Sequence, residues 1–96
     1  MSAEESVETV VLEGELVIDT VRRALDLLTT GTTAQDVVAD LAGVTFIDST
    51  GLRMLLDART YLGEQGRTLT LINPNSSVRL LLRTTATAEL FGLTLD

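Results

Sequence analysis

The chain has 96 residues, enough for one domain that buries only about 60–65 % of the surface its unfolded form exposes. Hydrophobic residues make up 45 % and aromatic residues 3 %, which excludes intrinsic disorder and calls for an aliphatic core built mostly from leucine. With no Cys and no His, a disulfide scaffold, cysteine catalysis, a histidine-based triad and an ordinary zinc site are excluded, and a net charge of −7 sets the chain against nucleic acid.

Residues 1–6 are polar and acidic, unlike a signal peptide, and read as a flexible terminus before a single domain over 7–96. No apolar run approaches the roughly 20 residues that span a bilayer, so neither membrane insertion nor a location other than the cytoplasm is expected. Val7 to Leu12 is rich in β-branched residues and predicts a strand; Glu13-Gly14-Glu15 interrupts it, and Leu16-Val17-Ile18 continues it past a bend or bulge at Gly14. Asp19 or Thr20 then caps a helix over 20–30, in which Val21, Ala24, Leu25 and Leu28 recur at helical spacing and Gly31 stands near the C-terminal end.

Asp36 to Leu41 predicts a second strand, followed by a turn at Gly43 and a short extended patch from Val44 to Ile47. A helix over 50–65 carries Leu52, Leu55, Leu56 and Leu62 on one stripe, with Arg53, Asp57, Arg59 and Glu64 off it, and ends at Gly66. Thr68 to Ile72 alternates as a third strand, Asn73-Pro74-Asn75-Ser76 forms a turn and cap, and a third helix runs over 76–84. A short turn over 86–91 and a stub over 92–96 close the chain, with the last strand either confined to Leu93–Leu95 or absent. Strands that alternate with helices imply right-handed crossovers and parallel pairing, at least between Asp36 and Ile72. The expected architecture is α/β, a small mixed β-sheet with helices mainly on one face.

The informative junction is Val44-Thr45-Phe46-Ile47-Asp48-Ser49-Thr50-Gly51-Leu52, where an apolar strand gives way to small polar residues at the start of a leucine-striped helix. In α/β folds such a junction presents a helix N-terminus at a strand end, a common place for ligands and modifications. In isolation the simplest reading is that Ser49 or Thr50 is an N-cap. Small aspartic proteases carry Asp-Thr-Gly or Asp-Ser-Gly, but Asp48-Ser49-Thr50-Gly51 has an extra residue, and a helix follows where those all-β enzymes need strands. Nucleophilic use of Ser49 lacks a base, since the chain has no His and all seven of its basic residues are Arg. A phosphate-binding loop would need glycine-rich spacing and a Lys. No catalytic residue, metal ligand or cofactor is therefore expected, and the chain reads as a non-enzyme.

Taken in order, Val10-Val11-Leu12-Glu13-Gly14-Glu15-Leu16, Val37 to Leu41, Phe46-Ile47-Asp48-Ser49-Thr50-Gly51-Leu52, Thr68 to Pro74, Val78 to Leu82 and Glu89-Leu90-Phe91 resemble the STAS domain, and within it the bacterial anti-sigma factor antagonists. The resemblance spans nearly the whole chain and implies a STAS-like (SpoIIAA-like) fold. It implies that Ser49, directly after Asp48, accepts phosphate from a GHKL-type serine kinase that is also the anti-sigma factor. The unphosphorylated domain would bind that kinase and free the sigma factor, the phosphorylated one would let go, and a phosphatase would reset Ser49. Asp48, Ser49, Thr50, Gly51, Leu52 and Arg53 would form the partner-binding segment.

The chain departs from the family at Val17, where an acidic residue is common, at Thr85-Ala86-Thr87, where relatives often carry Thr-Gly-Leu, and in a short tail. The alternative family reading is a STAS subunit that binds and regulates the ATPase of a phospholipid-transport ABC complex. Subunits of that kind lack the phosphorylatable serine pattern, which is intact here. If Leu80 or Met54 faces solvent, it contributes to a partner surface.

Overall fold

The structure, a computed structural model, describes residues 6–93. Three strands, β1 (Val7–Leu16), β2 (Asp36–Ile47) and β3 (Thr68–Ile72), alternate with three helices, α1 (Val21–Leu28), α2 (Ser49–Gly63) and α3 (Ser76–Thr84), and a 3-10 turn follows at Ala88–Phe91. The sheet order is β1-β2-β3.

Both strand pairings are parallel, so among the described residues the sheet is parallel and not mixed. The reason lies in the connections: each strand hands over to a helix that returns the chain to the same end of the sheet before the next strand begins. With neighbouring strands in sequence order and crossovers of one hand, α1 and α2 fall on the same face. The burial pattern agrees. Val10, Leu12, Val37, Ala39, Leu41, Leu69 and Leu71 point into the core, whereas Val7, Thr9, Val11, Val38, Thr70 and Ile72 on the other face remain at least partly exposed.

Two strand boundaries differ from the sequence expectation. β1 does run on through Glu13-Gly14-Glu15, with register shifts on either side and Gly14 at φ +79°, but it stops at Leu16, and Val17 and Ile18 enter the turn to α1. β2 does not turn at Gly43. It is one strand of 12 residues, because the second half of β1 pairs with it along Glu13↔Gly43, Gly14↔Val44 and Leu16↔Ile47. A ladder with a neighbouring strand outweighs the local turn preference of an Ala-Gly pair.

The three helices lie within about two residues of their expected bounds. Their apolar faces place Ala24, Leu28, Leu55, Ala58, Leu62, Val78 and Leu82 in one core with the buried sheet face, closed by Phe91, which is fully buried. The expected flexible segment 1–6 lies outside the described residues except for Ser6, whose carbonyl accepts from the Asp36 N–H at 3.1 Å. The expected stub strand lies outside them except for Leu93, which packs on the core without strand structure.

Candidate functional site

All three strands point their C-terminal ends to one end of the sheet, and all three helices start there. Leu16 and Ile47 are register partners at the ends of β1 and β2, so the residues that follow them, Val17-Ile18 and Asp48-Ser49, emerge side by side. α2 then begins directly against β1. At Gly51 the approach is so close that a Cβ would lie 2.3 Å from the Leu16 carbonyl oxygen and 2.7 Å from Ile47 Cγ1. Only glycine lets the first turn of α2 seat there. The β1–α1 turn alongside is pinned by Thr20, whose hydroxyl donates to the Glu15 carbonyl at 2.6 Å and accepts from the Val17 N–H at 3.0 Å. Thr20 occupies the N-cap position of α1, but this second duty leaves it making no side-chain cap bond.

The cap of α2 is Asp48, and neither Ser49 nor Thr50 performs that task. One carboxylate oxygen of Asp48 accepts from the Thr50 N–H at 3.0 Å and from the Gly51 N–H at 3.1 Å, with its backbone extended as an N-cap requires. A carboxylate also complements the positive end of the helix dipole. Ser49 is consequently released from structural work. It is exposed at the first helical position, and among the described residues its hydroxyl has no hydrogen-bond partner. Thr50 is half-buried and turns toward α1.

The six residues expected to form the partner-binding segment are thus divided. Asp48, Ser49, Thr50 and Arg53 stay accessible to different degrees, while Gly51 and Leu52 are buried and form the floor under them. Met54 is also buried, at 4 % exposure, so of the two residues considered for an outer surface only Leu80, at 60 %, is available.

Three exposed residues at this end of the fold were not among the expected site residues. Ile18 is 75 % exposed and Phe46 46 %, both at the strand-end surface. Arg22 shares a groove of about 360 Å³ between α1 and α2 with Thr50 and Arg53. Ile18 had a sequence signal: an isoleucine directly before Asp19-Thr20, a helix-start pair, lies where a turn exposes side chains.

Among the described residues no cluster of acidic side chains is suited to hold a metal ion, and no helix is long and apolar enough to cross a membrane. The sequence model of the STAS domain family matches residues 2–96. The chain belongs to the STAS domain family. No curated protein matches it in a direct sequence comparison.

Solved structures agree on the fold. The anti-sigma factor antagonist SpoIIAA in its unphosphorylated form aligns with a TM-score of 0.74 at 19 % identity, covering 88 % of this chain and 76 % of that one. A sulfate transporter family protein from Wolinella succinogenes aligns with a TM-score of 0.76 at 20 % identity, covering 90 % and 71 %. The STAS domain of a SulP transporter from Vibrio cholerae gives 0.71 at 22 % identity, covering 92 % and 70 %. This STAS domain is therefore similar in shape to regulators and to transporter-associated domains alike.

Proposed function

We propose that this STAS domain is an anti-sigma factor antagonist. Its unphosphorylated form binds a GHKL-type serine kinase that acts as the anti-sigma factor, which releases the sigma factor, and phosphorylation of Ser49 switches that binding off. A phosphatase restores the binding form. The reading rests on one observation above all: Asp48 supplies the cap of α2, and the adjacent Ser49 is exposed and unpartnered. A serine in that position can be modified without dismantling the domain.

The surroundings fit a protein partner. Ile18, in the turn after β1, offers apolar area at the strand-end surface, Phe46 adds an exposed aromatic near the end of β2, and Arg53 offers a cation four residues on from Ser49, a combination suited to a small interface with an apolar centre. Phosphorylation adds about −1.5 to −2 charges at that surface beside Asp48, in a chain of net charge −7. Burying that charge against a partner without a matched cation is costly, so the complex comes apart. The chain needs no catalytic group for this role.

A second reading is supported by the likeness to transporter STAS domains: a STAS subunit that binds and regulates the ATPase of a phospholipid-transport ABC complex. The two readings separate on one experiment. The purified chain is incubated with candidate GHKL-type serine kinase anti-sigma factors and ATP, and the products are mapped by mass spectrometry. Phosphate on Ser49 supports the first reading. Phosphate on Thr50 alone, or no transfer together with stable binding to a transporter ATPase, overturns it.

A further inference from the structure

The first turn of α2 has little capacity left for a second anion. The Asp48 carboxylate already accepts from the Thr50 and Gly51 N–H groups, and the Asp48 carbonyl accepts from Leu52 N–H at 3.0 Å. A phosphate on Ser49 would therefore meet a carboxylate at the helix terminus more than it would meet free amides. Stabilising it requires a cation.

Two cations line the groove that opens beside Thr50, the residue after Ser49. Arg53 follows Ser49 by four residues on α2, which sets their Cβ atoms about 6 Å apart on one helix face. Helical side chains lean toward the N-terminus, so Arg53 leans back toward Ser49. Arg22, in the first turn of α1, borders the same groove as Arg53 and Thr50. Neither guanidinium has a hydrogen-bond or ion-pair partner among the described residues. Arg59 and Arg67, by contrast, are engaged with backbone carbonyls of Leu90 and of Ala34 and Thr32.

The groove is also sorted by charge. Asp26 and Asp57 line it four residues further along the same two helices, so its cationic end is the end next to Ser49. Arginine matches a phosphate with two parallel donors, and no reorganisation of the fold is needed to present it.

We propose that Arg53 holds the phosphate of phosphorylated Ser49, with Arg22 closing on it from across the groove. The inference rests on Ser49 being the modified residue, and it gives the switch a second half. Phosphorylation places an anion on the partner surface and at the same time withdraws from that surface the cation that the unphosphorylated form exposes.

The test uses the full chain with phosphoserine incorporated genetically at position 49, which makes it independent of any kinase. The ionisation of the phosphate is followed by phosphorus NMR against pH in the parent, R53Q, R22Q and R23Q. Arg23 is the neighbour of Arg22 but lines a different groove, with Glu13 and Glu15, and so controls for bulk charge. In the parent, the phosphate should ionise at lower pH than in an unstructured phosphoserine peptide. R53Q should raise that midpoint by about half a unit or more, R22Q by less, and R23Q by least. The Arg53 side-chain N–H resonance of the parent should also move when phosphoserine replaces Ser49. Equal shifts in R53Q and R23Q, or a folded R53Q with the parent midpoint, overturn the proposal. A still Arg53 resonance does so without any variant. Failure of kinases to modify Ser49 would count against the functional reading and leave this measurement standing.

Discussion

Replacing Gly51 with alanine adds one methyl group at the most closely approached of the chain's glycines. Its Cβ would stand 2.3 Å from the Leu16 carbonyl oxygen, 2.7 Å from Ile47 Cγ1 and 3.0 Å from Leu16 Cβ. Ordinary contact begins near 3.4 Å, so the start of α2 would have to back away from β1 by about 1 Å. Overpacking of this kind costs about 1–3 kcal/mol, and this case belongs at the upper end because the nearest atom is backbone and part of a strand. Alanine returns about 1 kcal/mol through helix propensity. The net expectation is a loss of about 2 kcal/mol, or a fall in Tm of roughly 8–16 °C for a domain of this size. Gly63, in the last turn of the same helix, is the internal control: nothing lies within 4 Å of its would-be Cβ, so Gly63→Ala should stabilise by up to about 1 kcal/mol. Thermal and urea unfolding followed by circular dichroism measure both. If Gly51→Ala proves as stable as the parent, α2 is not seated on β1 as described, and the placement of Ser49 beside Ile18 goes with it.

Ser49→Ala should unfold within about 0.5 kcal/mol of the parent, since the serine caps nothing, and should bind the kinase partner constitutively in pull-down assays. Asp48→Ala removes both side-chain cap bonds of α2 and should lose about 1–2 kcal/mol in denaturant unfolding. Asn75→Ala should cost about as much, because that side chain accepts from the Val78 N–H at 2.9 Å to cap α3 and donates to the Val44 carbonyl at 2.8 Å. Leu80→Ser should leave stability within about 0.5 kcal/mol, as expected of an exposed helix position.

Elements with strong local signals are legible in the amino-acid sequence itself. β3 and α3 carry clean alternation and a clean 3.6-residue period, with Asn75 as a visible cap, and both form where the pattern puts them. What the sequence hides is decided between segments. The continuity of β2 through Ala42-Gly43 depends on the strand beside it, which no window around Gly43 contains. Parallel pairing between Asp36 and Ile72 is legible from the alternation of strands and helices, but that β1 also joins β2 in parallel depends on which ends the first crossover connects. At the candidate site, three adjacent residues, Asp48, Ser49 and Thr50, can each cap a helix, and the choice among them is a matter of backbone geometry. The grouping of Arg22 with Arg53 is a tertiary fact, since the two are on different helices and share only a groove.

In the proposed function the charge state of Ser49 controls binding to a protein. Its most direct test is a calorimetric titration of the anti-sigma kinase with two preparations of the chain, one unmodified and one carrying phosphate at Ser49 only. A one-to-one complex is expected with the unmodified chain, and an affinity at least about tenfold lower, a difference of about 1.4 kcal/mol, with the phosphorylated one. Equal affinity of the two preparations would contradict it.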